Sequence, residues 1–149
     1  MKDVLVIMGS NSDMPVMQEC IDTLEKFGLS CQVEVASAHR TPEKVLGIAK
    51  DADKKFKVII AAAGKSAHLP GVIAGHTILP VIGVPMKTSD LGGVDSLYSI
   101  VQMPKGVPVA TVAINGAMNS AILAAQMIGI SNSAVKEKLL AHKEEMKNS

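Results

Sequence analysis

Apolar side chains are gathered in five short runs along this chain, "DVLVIM", "CQVEVAS", "KVIIAAA", "PVIGVP" and "PVATVAI". Most are continuously apolar rather than alternating, the pattern of strands covered on both faces. Between them the period changes. Met14, Met17, Ile21 and Leu24 recur at helical spacing with Gly28 behind them as a stop, and in the next segment Thr41-Pro42 opens a face made by Val45, Ile48, Ala49 and Ala52. Strands alternating with helices predict a three-layer αβα domain over residues 1–149: a doubly wound, five-stranded parallel sheet with a closing helix over "SAVKEKLLAHKEEMK".

The strand order expected for such a chain is 2-1-3-4-5, the flavodoxin-like arrangement. In these sheets ligands bind beyond the carboxyl ends of the strands, near the point where the winding reverses. That rule directs attention to the loops after strands one, two and three.

Composition narrows the partners. Lys and Arg total 15 against 14 Asp and Glu, a net charge of +1, and the chain has one Tyr, two Phe and no Trp. Nucleic acid calls for a basic face and usually for stacking aromatics, so a small-molecule partner is expected instead. Cys20 and Cys31 show no CxxC pair, zinc spacing or disulfide framework, which suits a reducing cytoplasm. The apolar run in "MKDVLVIMGS" is too short for a secretory signal. Residues 106 to 135 carry no charge, but Pro108, Asn115, Asn119 and Ser120 interrupt them. They read as a strand, a turn and a small-residue helix buried in the core or between subunits, with no membrane span.

The loop after strand one, "MGSNSDMP", offers a glycine for a tight turn and the N–H groups and hydroxyls of Ser10 and Ser12 for an anion at the helix N-terminus. Ser12 or Asp13 capping the helix is an equal alternative. The loop after strand two, "SAHRTP", is denser than capping requires, since Thr41 alone would serve. Arg40 suits a phosphate through its paired donors, and His39 beside it can give and take a proton near neutrality.

"AAAGKSAHLPG" follows strand three. Its Gly64-Lys65-Ser66 is not a Walker loop, because the glycine required five positions earlier is Ile59, inside a strand. Gly64, Ser66 and Ala67 are small enough to let a flat ring approach the backbone. His68 either contacts the ligand or supports the loop. His76 and His142 lie within helical patterns and are expected to be structural or solvated. No Asp, Glu and His cluster has metal-ligand spacing, so neither a metal nor another cofactor is expected.

Taken together, "MGSNSDM", "SAHRTP", "AAAGKSAHLPG", "LPVIGVP", "DSLYSIVQMPKGVPVATVAI" and "NSAILAAQ", in this order, resemble the 5-(carboxyamino)imidazole ribonucleotide mutase family of purine biosynthesis, the PurE proteins. The resemblance covers nearly the whole chain. It implies that Ser10, Asp13 and Arg40 bind the ribose phosphate portion of the substrate, with Ser37 helping and Ala38 beside them. It implies that His39 transfers the proton, and that Gly64, Lys65, Ser66, His68 and Leu69 lie against the imidazole and its carboxylate. It also implies a cytoplasmic homo-octamer, which would bury part of "AMNSAILAAQMIGI".

Two positions depart from the family pattern. Lys65 stands where many members have a small residue, and Met14 where a Trp is frequent. A related carboxylase branch, which joins carbon dioxide directly to aminoimidazole ribonucleotide, tends to carry Lys after the His and another run in place of "SAHLPG", so Arg40 and that run favour the mutase. A non-catalytic receiver or flavin-binding module fits less well. Ala62, Ala63 and Gly64 stand where a receiver needs its phosphoacceptor Asp, and aromatic stacking residues are scarce.

Overall fold

In the computed structural model, which describes residues 1–149, β1 (Val4–Met8) is buried along its whole length. So are β3 (Val58–Ala63) and β4 (Val81–Pro85), as apolar runs must be when helices cover both sides of a sheet. β2 (Cys31–Val35) and β5 (Ala110–Thr111) are the less buried edges. All neighbours pair in parallel in the order β2-β1-β3-β4-β5, as the alternating pattern predicts.

Successive strand residues face opposite sides, and the two sides carry different helices. Val4, Val6 and Met8 pack with Met17 and Leu24 of α1 (Met14–Lys26) and with Ala121 and Ala124 of α5 (Ala117–Gly129). Leu5 and Ile7 pack with Val45 of α2 (Pro42–Asp51), Ile73 of α3 (Leu69–Ala74) and Ile100 of α4 (Val94–Val101). α6 (Ser133–Lys147) closes over the first side through Val135. The result is three layers. A Cβ at Gly83 would collide with Ile100, so this glycine lets α4 seat directly on β4. Gly28, at φ 75°, ends α1 in a conformation that favours glycine.

One expectation changes. The fifth strand is far shorter than "PVATVAI": only Ala110 and Thr111 pair with β4, and the chain turns away through the bond from Gly116 N–H to Ala113 O. Pro108 has no N–H to extend the ladder. Of the two kinds of burial open to the uncharged run, the core takes Ala117, Ser120, Ala121, Ala124, Ala125 and Ile128, where α1 and α6 pack on α5, while Met118 and Ile130 of the same run stay 44% and 87% exposed.

Register positions the site. Met8 stands opposite both Val35 and Ala62, so β1, β2 and β3 end level and their three loops leave from one edge.

Candidate active site

These loops enclose a cleft of about 170 Å³ lined by Gly9, Asp13, Ser37, Ala38, His39, Arg40, Ala63, Gly64, Ser66, His68 and Leu69. Each loop is held differently.

Ser10 caps a single 3-10 turn, Asn11–Asp13, by accepting from Ser12 N–H at 3.3 Å, and the Ser12 hydroxyl donates to it at 2.9 Å. With that turn capped by Ser10, Asp13 makes no side-chain capping bond to α1. Its carboxyl is free to face the cleft. Burial pushes it above its ordinary value, and a hydrogen bond from the Ser10 backbone offsets part of the rise. The chain bends at Gly9 without a left-handed backbone.

Ser37 and Thr41 tie the second loop. The Thr41 hydroxyl accepts from Ser37 N–H and donates to Ser37 O, both at 3.0 Å, while Ser37 Oγ accepts from Arg40 N–H at 3.1 Å. The expected side-chain cap of α2 by Thr41 is therefore absent. The knot holds His39 and Arg40 at the loop's tip, both exposed. Arg40 takes part in none of the chain's ion pairs.

In the third loop Lys65 adopts φ 55°, an uncommon left-handed conformation for a side chain of its size. Two tight bonds follow, Ala67 N–H to Lys65 O at 2.9 Å and His68 N–H to Ser66 O at 2.8 Å. The Lys65 ammonium lies 3.1 Å from Asp90, in the loop after β4, and neither Lys65 nor Ser10 is among the residues lining the cleft. His68 precedes α3 without capping it. Its Nδ1 instead meets Nε2 of His39 at 2.8 Å.

Three loops far apart in sequence thus bring together a cation, a half-buried carboxyl and two bonded imidazoles. Gly9 and Ala63 were not singled out as contacts; their signal is the register, which brings the ends of β1 and β3 level. His76 bonds to Val72 O and His142 packs against Phe27, both away from the cleft. No group of three or more His, Cys, Asp or Glu side chains is arranged to hold a metal ion.

With this geometry in view, residues 3–149 match the family model described as AIR carboxylase. The chain belongs to the AIR carboxylase family. Its relatives include an N5-carboxyaminoimidazole ribonucleotide mutase from Thermotoga maritima, 55% identical over 148 residues that cover 99% of this chain and 86% of that protein. Another is a phosphoribosylaminoimidazole carboxylase from Candida glabrata, 58% identical over 128 residues, 85% of this chain but 22% of that longer protein. Among solved structures, Treponema denticola PurE superposes with a TM-score of 0.89 at 28% identity, covering 97% of this AIR carboxylase family chain and 91% of that one.

Proposed function

We propose that this protein is a 5-(carboxyamino)imidazole ribonucleotide mutase, an isomerase that moves a carboxylate from the exocyclic nitrogen of an aminoimidazole ribonucleotide to a ring carbon. The observation that carries the reading is the join of Arg40 and His39 at one loop tip, facing Asp13 across a cleft whose third wall is the Gly64 to Leu69 segment. Arg40 pairs with the phosphate, Asp13 meets the ribose, and Ser10 and Ser37 hold the loops that carry them. Gly64, Ser66 and Leu69 form the surface for the ring, with Ala38 opposite. Lys65 acts through its backbone, which turns that segment.

The chemistry asks for one proton moved twice. As the bond between nitrogen and carboxylate breaks, its electron pair stays on nitrogen and takes a proton from His39. The enamine-like ring carbon then attacks the carbon dioxide retained in the cleft. His39 removes the proton from that carbon, and the C–H electrons restore the aromatic ring. The histidine ends as it began. Orientation and exclusion of water supply the rest, since carbon dioxide that escapes is lost product.

The second reading, direct carboxylation of aminoimidazole ribonucleotide, is favoured by the relative from Candida glabrata. One assay separates them. Conversion of the carboxyamino ribonucleotide without added bicarbonate or ATP identifies the mutase, whereas turnover of aminoimidazole ribonucleotide with carbon dioxide alone identifies the carboxylase.

We further propose a cytoplasmic homo-octamer. Val94, Tyr98 and Val101 leave an apolar stripe on α4, 45%, 65% and 44% exposed. A stripe of this kind suits an interface between copies of the chain. Sedimentation that finds a stable monomer at micromolar concentration removes this assignment. The unpaired cysteines suit the cytoplasm.

A further inference from the structure

His39 and His68 arise from different loops, yet their rings meet edge to face, with centroids 4.9 Å apart and planes at 84°. A hydrogen bond of 2.8 Å between Nε2 of His39 and Nδ1 of His68 requires one hydrogen between them, carried by one ring and accepted by the lone pair of the other. The pair can therefore be neutral or carry one positive charge. With two charges, both nitrogens hold hydrogen and the bond is lost.

The bond leaves His39 Nδ1 and His68 Nε2 for other partners, and both rings line the cleft.

We propose that His39 and His68 work as one acid–base unit holding a single exchangeable proton. His68 is the positioning residue: it fixes the tautomer of His39 and takes a share of its charge. This rests on the mutase reading. The singly charged pair gives its proton to the exocyclic nitrogen as the bond from nitrogen to carboxylate breaks. The neutral pair then takes the proton that leaves the ring carbon, so charge and proton count return to their starting values. A charged N–H donor to a neutral nitrogen makes a stronger bond than two neutral rings, which holds the proton ready between the two steps. The other ionisable side chains lining the cleft are Asp13 and Arg40.

The test compares His68→Gln with His68→Leu in steady-state kinetics, alongside ¹⁵N-histidine NMR of the full-length parent. Both variants are expected to lose kcat by about tenfold or more while KM stays within about threefold. A glutamine restores an orienting hydrogen bond but cannot share the proton. A His68→Gln enzyme with kcat within about threefold of the parent therefore overturns charge sharing, as does a loss confined to KM. In the parent, the ¹⁵N signals of both rings are expected to respond together to uptake of one proton, with a hydrogen coupled to nitrogens of both rings that His68→Leu abolishes. Rings that titrate independently overturn the proposal. The NMR measurement needs no turnover, so it separates failure of the pair from failure of the mutase assignment.

Discussion

The Lys65 ammonium lies 3.1 Å from Oδ2 of Asp90, so the cation that follows Gly64 is turned toward the loop after β4 and away from the cleft. Its carbonyl also accepts from the Ser99 hydroxyl at 3.4 Å. A lysine held left-handed costs about 1–2 kcal/mol, and an exposed ion pair returns about 0–1 kcal/mol. Glycine would relieve the strain but adds about 0.5–1 kcal/mol of unfolded-chain entropy. Lys65→Gly is therefore expected to unfold within about 1 kcal/mol of the parent and to keep kcat and KM within about threefold. Thermal melts and steady-state kinetics check this, and a tenfold rise in KM would return the ammonium to the substrate carboxylate.

At His39 the expected effect is large. His39→Asn keeps a hydrogen-bonding group of similar reach but no titrating ring, so turnover should fall by about a hundredfold or more with the fold intact. That loss should exceed the one at His68, whose side chain acts through His39. Circular dichroism and kcat measured on the same preparations decide it.

Arg40 is exposed and in no ion pair of the chain, so its replacement reports on ligand contacts with little effect on stability. Arg40→Lys retains one charge but loses the fork that matches a phosphate, and substrate affinity should weaken by about tenfold. Isothermal titration with substrate or product measures it; unchanged affinity would take Arg40 out of the phosphate role.

Ala124 is fully buried in the face of α5 that packs on the sheet. A carboxylate introduced there has no partner, and Ala124→Glu should destabilise the chain by about 3–5 kcal/mol, measured by urea unfolding. Loss of assembly with full retention of the fold would show that this residue faces a neighbour instead.

Asp3 provides a pH-dependent test at the opposite end of the sheet. Burial raises its carboxyl, but hydrogen bonds from Ser30 and from Lys57, whose Nζ lies 3.0 Å away, together hold it below its ordinary value. A depressed carboxyl stabilises the fold above its unfolded value and loses that effect as pH falls through the folded one. Asp3→Asn is therefore expected to cost about 1–2 kcal/mol at neutral pH, with the gap closing as the parent's carboxyl becomes protonated in acid. A gap that is constant with pH would show that the charge contributes nothing.

The helix positions were legible because period is a local property, whereas the sheet order followed from the fold class that the alternation of strands and helices implies. Met14, Met17 and Leu24 fall on one face of a helix whatever surrounds them, and the closing helix spans the residues "SAVKEKLLAHKEEMK". The length of β5 was not legible: apolarity marks burial, whereas pairing also depends on the register with β4 and on Pro108 having no N–H. Nor was the burial of α5 within its own chain, which depends on α1 and α6 arriving from distant segments.

At the site, residue chemistry singled out His39 and Arg40, because a proton carrier and a phosphate fork between a strand end and a helix start are informative without coordinates; for Asp13 it offered only a helix cap, and the binding role came from the family resemblance. Their arrangement waited on the fold. Whether Asp13 capped its helix depended on Ser10 taking up the preceding turn, and the direction of the Lys65 side chain depended on Asp90 arriving from beyond β4. The bond between His39 and His68 joins residues 29 apart in sequence. A hydrogen bond is decided within a few tenths of an ångström, and only packing places two loops that closely; patterning along the chain determines which loops share an edge and carries no information at that scale.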